Sequence, residues 1–339
     1  MLGLSRKGIK MDIEKCAVLI QNYLQNNPLV VIGSGGTMKY GLPSMSNLAQ
    51  ELSSQSHIDS SYTDLCSKLI SGIDLEAAMN TTALSDEAVT FLRRTVWEYI
   101  NGKDLEYLNN IDTNNGIVQL LKRLLQPSGN RCTIVTTNYD RIVEYSADIA
   151  KAIPVTGFEG SLIKEFEPPT ASLYNKRIQA RNKFVEIWKV HGSLDWFYTA
   201  SNNIRSYPLS KNILNGHTPL IVPPGNTKMA TTHLEPYRTI IQQADNSILR
   251  ASCYLCVGYG FNDEHIQQKV IDEIHKGKPI VVLAKTMTAK CKELITGGAV
   301  SKFLVIEDGG NNTSIITTPT ESAAIAGNLW SLDEFLKVW

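Results

Sequence analysis

The sequence predicts an α/β fold: a Rossmann-like parallel sheet with helices on both faces and a helical insertion. Three observations carry that expectation. Short, almost wholly apolar runs recur at Leu29–Ile32, Cys132–Thr136, Val185–Val190, Cys253–Val257 and Ile280–Ala284. Stretches with helical spacing separate most of them, and strands buried on both faces lack the polar alternation of half-exposed ones. Four of the runs end on polar segments, three of them glycine-containing, the position at which open α/β sheets bind ligands.

Taken in order, Ile13–Leu24 has apolar residues at 13, 17, 20 and 24, an amphipathic helix stopped before Pro28. Leu29–Ile32 is a strand that meets the turn Gly33-Ser-Gly-Gly-Thr37, followed by Gly41-Leu-Pro-Ser44. Ser44 or Ser46 caps a helix to about Leu52. Residues 57–126 read as helices at 62–70, 75–82, 86–100 and 116–125, an insertion on the α/β body. The strand at 132–136 runs into Thr136-Thr-Asn-Tyr-Asp140 and a helix through Ala150. Residues 153–156 form a short strand, and 165–182, with paired prolines and charges, a loop. The strand 185–190 ends on His191-Gly192, and the strand 219–222 on Pro223-Pro-Gly225. Helices over 235–250, 263–276 and 289–295 alternate with strands at 253–257, 280–284 and 303–306, before a terminal helix over 331–339. The expected organisation is an N-terminal extension and helix (1–28), an α/β domain (29–310) and a C-terminal tail and helix (311–339). Met11 offers an alternative start, which would leave residues 1–10 as an added extension.

Basic and acidic residues balance at 33 each, so no broad field draws the chain to nucleic acid or an anionic membrane. No apolar run approaches the ~20 residues of a membrane span, and none follows the amino terminus as a signal peptide would. A cytoplasmic protein is expected. Its six cysteines are scattered in apolar context, as reduced buried thiols rather than a disulfide framework. Cys253-x-x-Cys256 is the one CxxC, and residues three apart on a strand point to opposite faces, so no metal site is expected. Walker A, HExxH and G-x-S-x-G sequences are absent, which removes the central residues of P-loop, zincin and serine-hydrolase chemistry.

The strand-end segments supply the candidate site. Within Gly33–Thr37 the glycines permit close backbone approach, and the amides they expose can cradle a pyrophosphate. The match to G-x-G-x-x-G is incomplete, since Met38 stands at the third glycine position, and a tight strand-to-helix turn is the competing reading. Asn138 and Asp140 could cap the following helix, or Asn138 could hold a ribose hydroxyl or a water. His191 lies where a base belongs, histidine being the residue type suited to proton transfer near neutral pH. His233 and His265 rank below it.

Together these segments resemble the sirtuin family, in a prokaryotic branch without a zinc ribbon. Gly33-Ser-Gly-Gly-Thr with Gly41-Leu-Pro-Ser44 is similar to its Gly-Ala-Gly-x-Ser…Gly-Ile-Pro signature. Thr137-Asn-Tyr-Asp140 resembles Gln-Asn-Ile-Asp, and His191-Gly192 the catalytic His-Gly pair. Gly258-Tyr-Gly-Phe-Asn-Asp263 resembles a nucleotide-contacting loop of the prokaryotic branch. The resemblance implies that 29–310 is an NAD⁺-binding catalytic domain in which Asn138 orients the reacting ribose and His191 is the general base. It further implies that Gly33, Ser34, Gly35 and Thr37 hold pyrophosphate and ribose, and that Leu42 and Pro43 line the nicotinamide end. Thr137 takes the glutamine position, Asp140 contacts the nicotinamide pocket or caps its helix, and Gly258 and Tyr259 flank the adenosine. The chain departs from the deacylases in lacking two CxxC pairs and in placing Met45 and Ser46 where Phe-Arg is usual. These departures point to water as acceptor: an NAD⁺ glycohydrolase, in the branch an antiphage effector that depletes NAD⁺. Such effectors form homo-oligomers or join a partner ATPase or nuclease. A protein deacylase or ADP-ribosyltransferase, and a non-catalytic NAD⁺ or ADP-ribose sensor, are the alternatives.

Overall fold

A computed structural model describes residues 11–55, 58–126, 130–167, 182–225 and 233–339. Helix α1 (Ile13–Tyr23) starts on Asp12, whose side chain accepts the Lys15 amide. Strand β1 (Leu29–Ile32) turns into a short helix α2 (Ser34–Thr37) and a 3₁₀ turn, Met38–Tyr40. Helix α3 (Met45–Ser54) opens with a capping box: Ser44 accepts the Asn47 amide while the Asn47 side chain accepts the Ser44 amide. Helices α4 (Ser60–Ile70), α5 (Leu75–Asn80), α6 (Asp86–Asn109) and α7 (Gly116–Leu124) start on Asp59, Asp74, Ser85 and Asn115. Each of those side chains accepts first-turn amides that have no partner within the helix, which is why the helices begin there.

The chain continues through β2 (Arg131–Thr136), α8 (Ile142–Ile149) and β3 (Ile153–Val155). It then forms β4 (Phe158–Gly160), β5 (Lys164–Phe166), β6 (Phe184–Lys189), β7 (Gly192–Tyr198), β8 (Ile204–Ser206) and β9 (Thr218–Ile221). After α9 (Tyr237–Arg250) come β10 (Tyr254–Val257), α10 (Glu264–His275) and β11 (Ile280–Ala284). Helix α11 (Ala289–Cys291) runs into a π turn, Lys292–Thr296. Strands β12 (Phe303–Gly310), β13 (Thr313–Thr317) and β14 (Ser322–Ala326) precede the terminal α12 (Leu332–Val338).

Among the described residues one sheet has the order β14-β13-β12-β11-β10-β1-β2-β6-β3, parallel from β12 to β3. The fold is the expected Rossmann-like α/β arrangement. Alternate strand residues serve opposite cores: Val30, Ile134, Leu255 and Val281 pack with α1 and the helices α3 to α8, while Val31, Val135, Cys256 and Val282 pack with α9 and α10. Each such fully buried aliphatic side chain contributes about 1.5–3 kcal/mol. The strand order reverses at β1, from which the chain moves out to β2 and later returns to β10 on the other side. Ligands of doubly wound sheets bind at that reversal.

Four features differ from the sequence reading. Residues 192–198 form a strand that, with β4, β5, β8 and β9, builds a second, antiparallel sheet in the order β4-β5-β8-β7-β9. The segment 165–182, read as a loop, contributes Glu165 and Phe166 to β5, and 168–181 lie outside the described residues. The segment read as a tail supplies β13 and β14, which extend the main sheet in antiparallel register. Finally, α7 packs on β2 and α8 as well as on α12, beneath the sheet rather than beyond it. Residues 1–10, read as an extension, lie outside the described residues. No helix of the described residues is long and apolar enough to cross a membrane.

Candidate functional site

At the reversal point a cavity of about 810 Å³ opens along the carboxyl ends of β1, β2, β6, β10 and β11. Gly33, Ser34, Gly35 and Thr37 line it beyond β1, and Leu42 and Pro43 follow from the turn before α3. Thr137, Asn138 and Asp140 reach it from β2, His191 from β6, and Gly258 and Tyr259 from β10. The structure thus brings to one cavity every residue that the resemblance assigns to the site, and the lower-ranked His233 does not line it. Its size lies within the range of about 300–1,000 Å³ usual for small-molecule sites.

Two backbones touch where β1 and β10 end. A Cβ on Gly33 would stand 2.5 Å from the Gly258 carbonyl oxygen, and one on Gly258 would stand 2.1 Å from the Gly36 nitrogen. Gly258 also adopts φ +58°, a region that disfavours side chains. The Gly33 amide donates to Val257 O (3.1 Å), the Gly35 amide to Gly258 O (3.1 Å) and the Gly36 amide to Gly33 O (2.9 Å). The expectation that glycine amides face a pyrophosphate is corrected here, because the Gly33 and Gly35 amides join the two loops and the Gly36 amide closes the turn on Gly33. The glycines matter for the close approach they allow, and the half-buried Ser34 hydroxyl, without a hydrogen bond among the described residues, is left to the cavity.

Asn138 is held from several directions. Thr136 Oγ1 donates to Ile32 O (2.7 Å) and accepts the Asn138 amide (3.0 Å), fixing the turn against β1. Asn138 Nδ2 donates to Gly33 O (3.1 Å) and Thr37 Oγ1 (3.0 Å), and Thr37 donates onward to Asp140 Oδ2 (3.1 Å). Both amide protons are therefore spent, and the acceptor Oδ1 is the atom left for a ligand. Asp140 Oδ1 accepts the Ile142 amide (3.2 Å), so the residue both caps α8 and anchors Thr37. Burial pushes the Asp140 carboxyl above its ordinary range, and the Lys189 ammonium acts against that shift. Lys189, fully buried, donates to Tyr139 O (3.1 Å), to Asp140 O and to Glu144 Oε1 (2.9 Å). Arg141 continues the lock: its amide and guanidinium grip Asp104 of α6 at 2.7–3.0 Å, and Nη2 reaches Asn101 Oδ1 (2.9 Å).

His191 sits on a corner between the two sheets. Gly192 turns the chain out of β6 into β7 at φ +88°, and a Cβ there would fall 1.9 Å from Leu220 O. The His191 carbonyl accepts the Val222 amide (2.9 Å), and the Tyr139 carbonyl accepts the Leu194 amide (3.1 Å). His191 Nε2 lies 2.7 Å from Asp263 Oδ2, with the two side chains 8% and 6% exposed. That is ion-pair distance, although the pair lacks hydrogen-bond alignment. Nδ1 has no partner among the described residues.

Sequence reasoning missed Asp263 as a neighbour of His191; its one signal is a helix-capping position after a buried strand, where Oδ1 accepts the Ile266 amide (3.3 Å). It also missed Glu76, Lys285 and Thr288, and Trp330, Ser331 and Leu332 at the start of α12, all lining the cavity. Among the described residues no group of three or more His, Cys, Asp or Glu is placed to hold a metal ion.

Residues 132–284 match the family model of the SIR2-like domain. No curated protein matches the chain. Solved structures that it resembles include one described as the structural basis of sirtuin substrate affinity, at 11% identity over 97% of this chain and 98% of that one, TM-score 0.49. Another is Sir2Tm bound to a propionylated peptide, at 11% identity over 96% of each chain, TM-score 0.47. A third is a Sir2 homologue–NAD complex, at 13% identity over 85% of this chain and 86% of that one, TM-score 0.42.

Proposed function

We propose that the protein is an NAD⁺ glycohydrolase that cleaves the nicotinamide–ribose bond with water. The observation that carries the proposal is the meeting, in one cavity, of an acceptor-only amide oxygen on Asn138 and His191 Nδ1, which has no partner among the described residues. The SIR2-like domain match over 132–284, which contains both residues, supports the choice of dinucleotide.

In this mechanism Asn138 Oδ1 accepts a hydroxyl of the nicotinamide ribose and orients C1′. The C1′–N bond breaks with its electron pair leaving on nicotinamide, and an oxocarbenium-like centre remains. A water adds to C1′ and its proton passes to His191, so NAD⁺ and water become nicotinamide, ADP-ribose and a proton. The protein's part is placement of the dinucleotide and one oriented base, which suits a site whose polar groups are pre-fixed. Ser34 and the joined loops at Gly33 and Gly258 hold the phosphate and adenosine end, while Leu42 and Pro43 face the nicotinamide. The same reading carries the expectation of a cytoplasmic antiphage effector that self-assembles or joins an ATPase or nuclease, for which the sequence resemblance is the support.

Incubation with NAD⁺ and chromatography of nicotinamide tests the proposal. His191→Ala and Asn138→Ala should each lower release by ~10²-fold or more. Wild-type turnover in both variants would sink it. O-acyl-ADP-ribose formed with an acylated peptide would instead identify a deacylase, and nucleotide binding without turnover a sensor.

A further inference from the structure

We infer that Asp263 is a positioning residue for His191: its carboxylate takes the imidazole by Nε2, so that Nδ1 is the nitrogen that works in the cleft. The turnover arm of this inference rests on the proposed NAD⁺ cleavage; the proton arm does not.

The argument starts from the 2.7 Å separation of Nε2 and Oδ2. A lone-pair nitrogen and a carboxylate oxygen repel at that distance, whereas a ring that carries its proton on Nε2 is attracted to the carboxylate electrostatically, even off the hydrogen-bond axis. The neutral ring therefore carries its proton on Nε2 and its lone pair on Nδ1. Asp263 is itself held in place. Oδ1 accepts the Ile266 amide at the start of α10 (3.3 Å), which turns Oδ2 toward the ring, and the Tyr259 phenol donates to the Asp263 carbonyl (3.3 Å). Among the described residues, other titratable groups at this end of the cavity are the Tyr139 and Tyr259 phenols and the Glu76 carboxylate of α5. The Tyr139 hydroxyl donates to Val222 O, so it is not the ring's partner. A buried carboxylate beside the base also stabilises the imidazolium formed when Nδ1 takes a proton, the logic by which an aspartate orients the histidine of a serine-protease triad.

The test uses the full chain labelled with ¹⁵N-histidine, His191 being assigned by its loss in His191→Gln. The wild-type spectrum should report the Nε2–H tautomer. Asp263→Asn keeps a good helix cap but presents an N–H to Nε2, so the tautomer should invert to Nδ1–H. Asp263→Ser also caps α10, removes the carboxylate, and should leave a mixture of tautomers. With NAD⁺, Asp263→Asn should lower kcat by ~10²–10⁴-fold while KM stays within about twofold. A wild-type Nδ1–H tautomer, or an unchanged tautomer in both variants, would overturn the inference. Absence of NAD⁺ cleavage by the wild type would defeat the proposed function, and the ring-nitrogen signals would still decide the role of Asp263.

Discussion

The two halves of the proposed catalytic pair are held in opposite ways. Asn138 sits on a lattice of buried polar contacts that runs from Ile32 through Thr136, Thr37 and Asp140 to Lys189, Arg141 and Asp104. His191 sits on a backbone corner, with one carboxylate beside its ring. A lattice costs stability when it is cut, because each buried group left behind keeps its desolvation penalty. A corner costs geometry when it is altered. The contrast predicts that changes around Asn138 reach activity through stability, whereas changes around His191 reach activity more directly.

The largest expected effect tests the lattice. Asp104 is fully buried and receives Arg141 through three N–H groups, with Tyr145 donating as well (2.6 Å). Asp104→Ala leaves an uncompensated buried guanidinium and should destabilise the protein by about 3–5 kcal/mol, read from denaturant unfolding. A loss below about 1 kcal/mol would mean that the network is not rigidly coupled. Next comes the corner. Gly192→Ala must place a side chain at φ +88° and 1.9 Å from Leu220 O. Backbone strain and overpacking together should cost about 2–4 kcal/mol. NAD⁺ cleavage should fall further than the folded fraction does, since the variant moves His191 itself; loss of activity in step with unfolding would erase the contrast. Third, Thr37→Val removes the hydroxyl between Asn138 and Asp140 and should cost about 1–3 kcal/mol. Combined with Asn138→Ala, its effect on stability should be non-additive by about 0.5–3 kcal/mol. Strict additivity would break the proposed chain of contacts.

How much of this was legible in the sequence follows the same division. Strands buried on both faces announce themselves as apolar runs: Leu29–Ile32 and Ile280–Ala284 have the same limits in sequence and structure. Their loops carried the glycines, Asn138 and His191, and parallel pairing then brought those loops to one edge. The second sheet stayed hidden because β4, β5 and β8 are three residues long, too short for a period of two to register. Strand β7 mixes Ser193 and Asp195 with Leu194 and Trp196, and the acidic residue receives the Ser193 and Ser206 hydroxyls (each 2.5 Å), the second a partner from the neighbouring strand. Asp263 is the sharpest case. Its spacing marks a helix cap, and nothing local indicates that its other oxygen meets His191. Nor does sequence reveal that the glycine amides are consumed between β1 and β10, since that follows from their being neighbours in the sheet.

That last point sets the smallest prediction, at the loop where the glycines were expected to bind phosphate. With the Gly33, Gly35 and Gly36 amides engaged internally, Ser34 is the side chain of this loop left to meet the pyrophosphate of the proposed dinucleotide. Ser34→Ala deletes one hydroxyl at a half-buried position and leaves the backbone free to keep its path. At this half-buried position water can take the place of the lost hydroxyl, so the deletion is worth about 0.5–1.5 kcal/mol, which corresponds to an increase of roughly 2- to 13-fold in the dissociation constant for ADP-ribose by calorimetry. Stability and kcat should change little, since neither the Asn138 lattice nor the His191 corner is touched. A larger loss, or one that appears in kcat, would mean that this loop takes part in holding the reacting ribose, and the division between a binding end and a chemical end of the cleft would have to be redrawn.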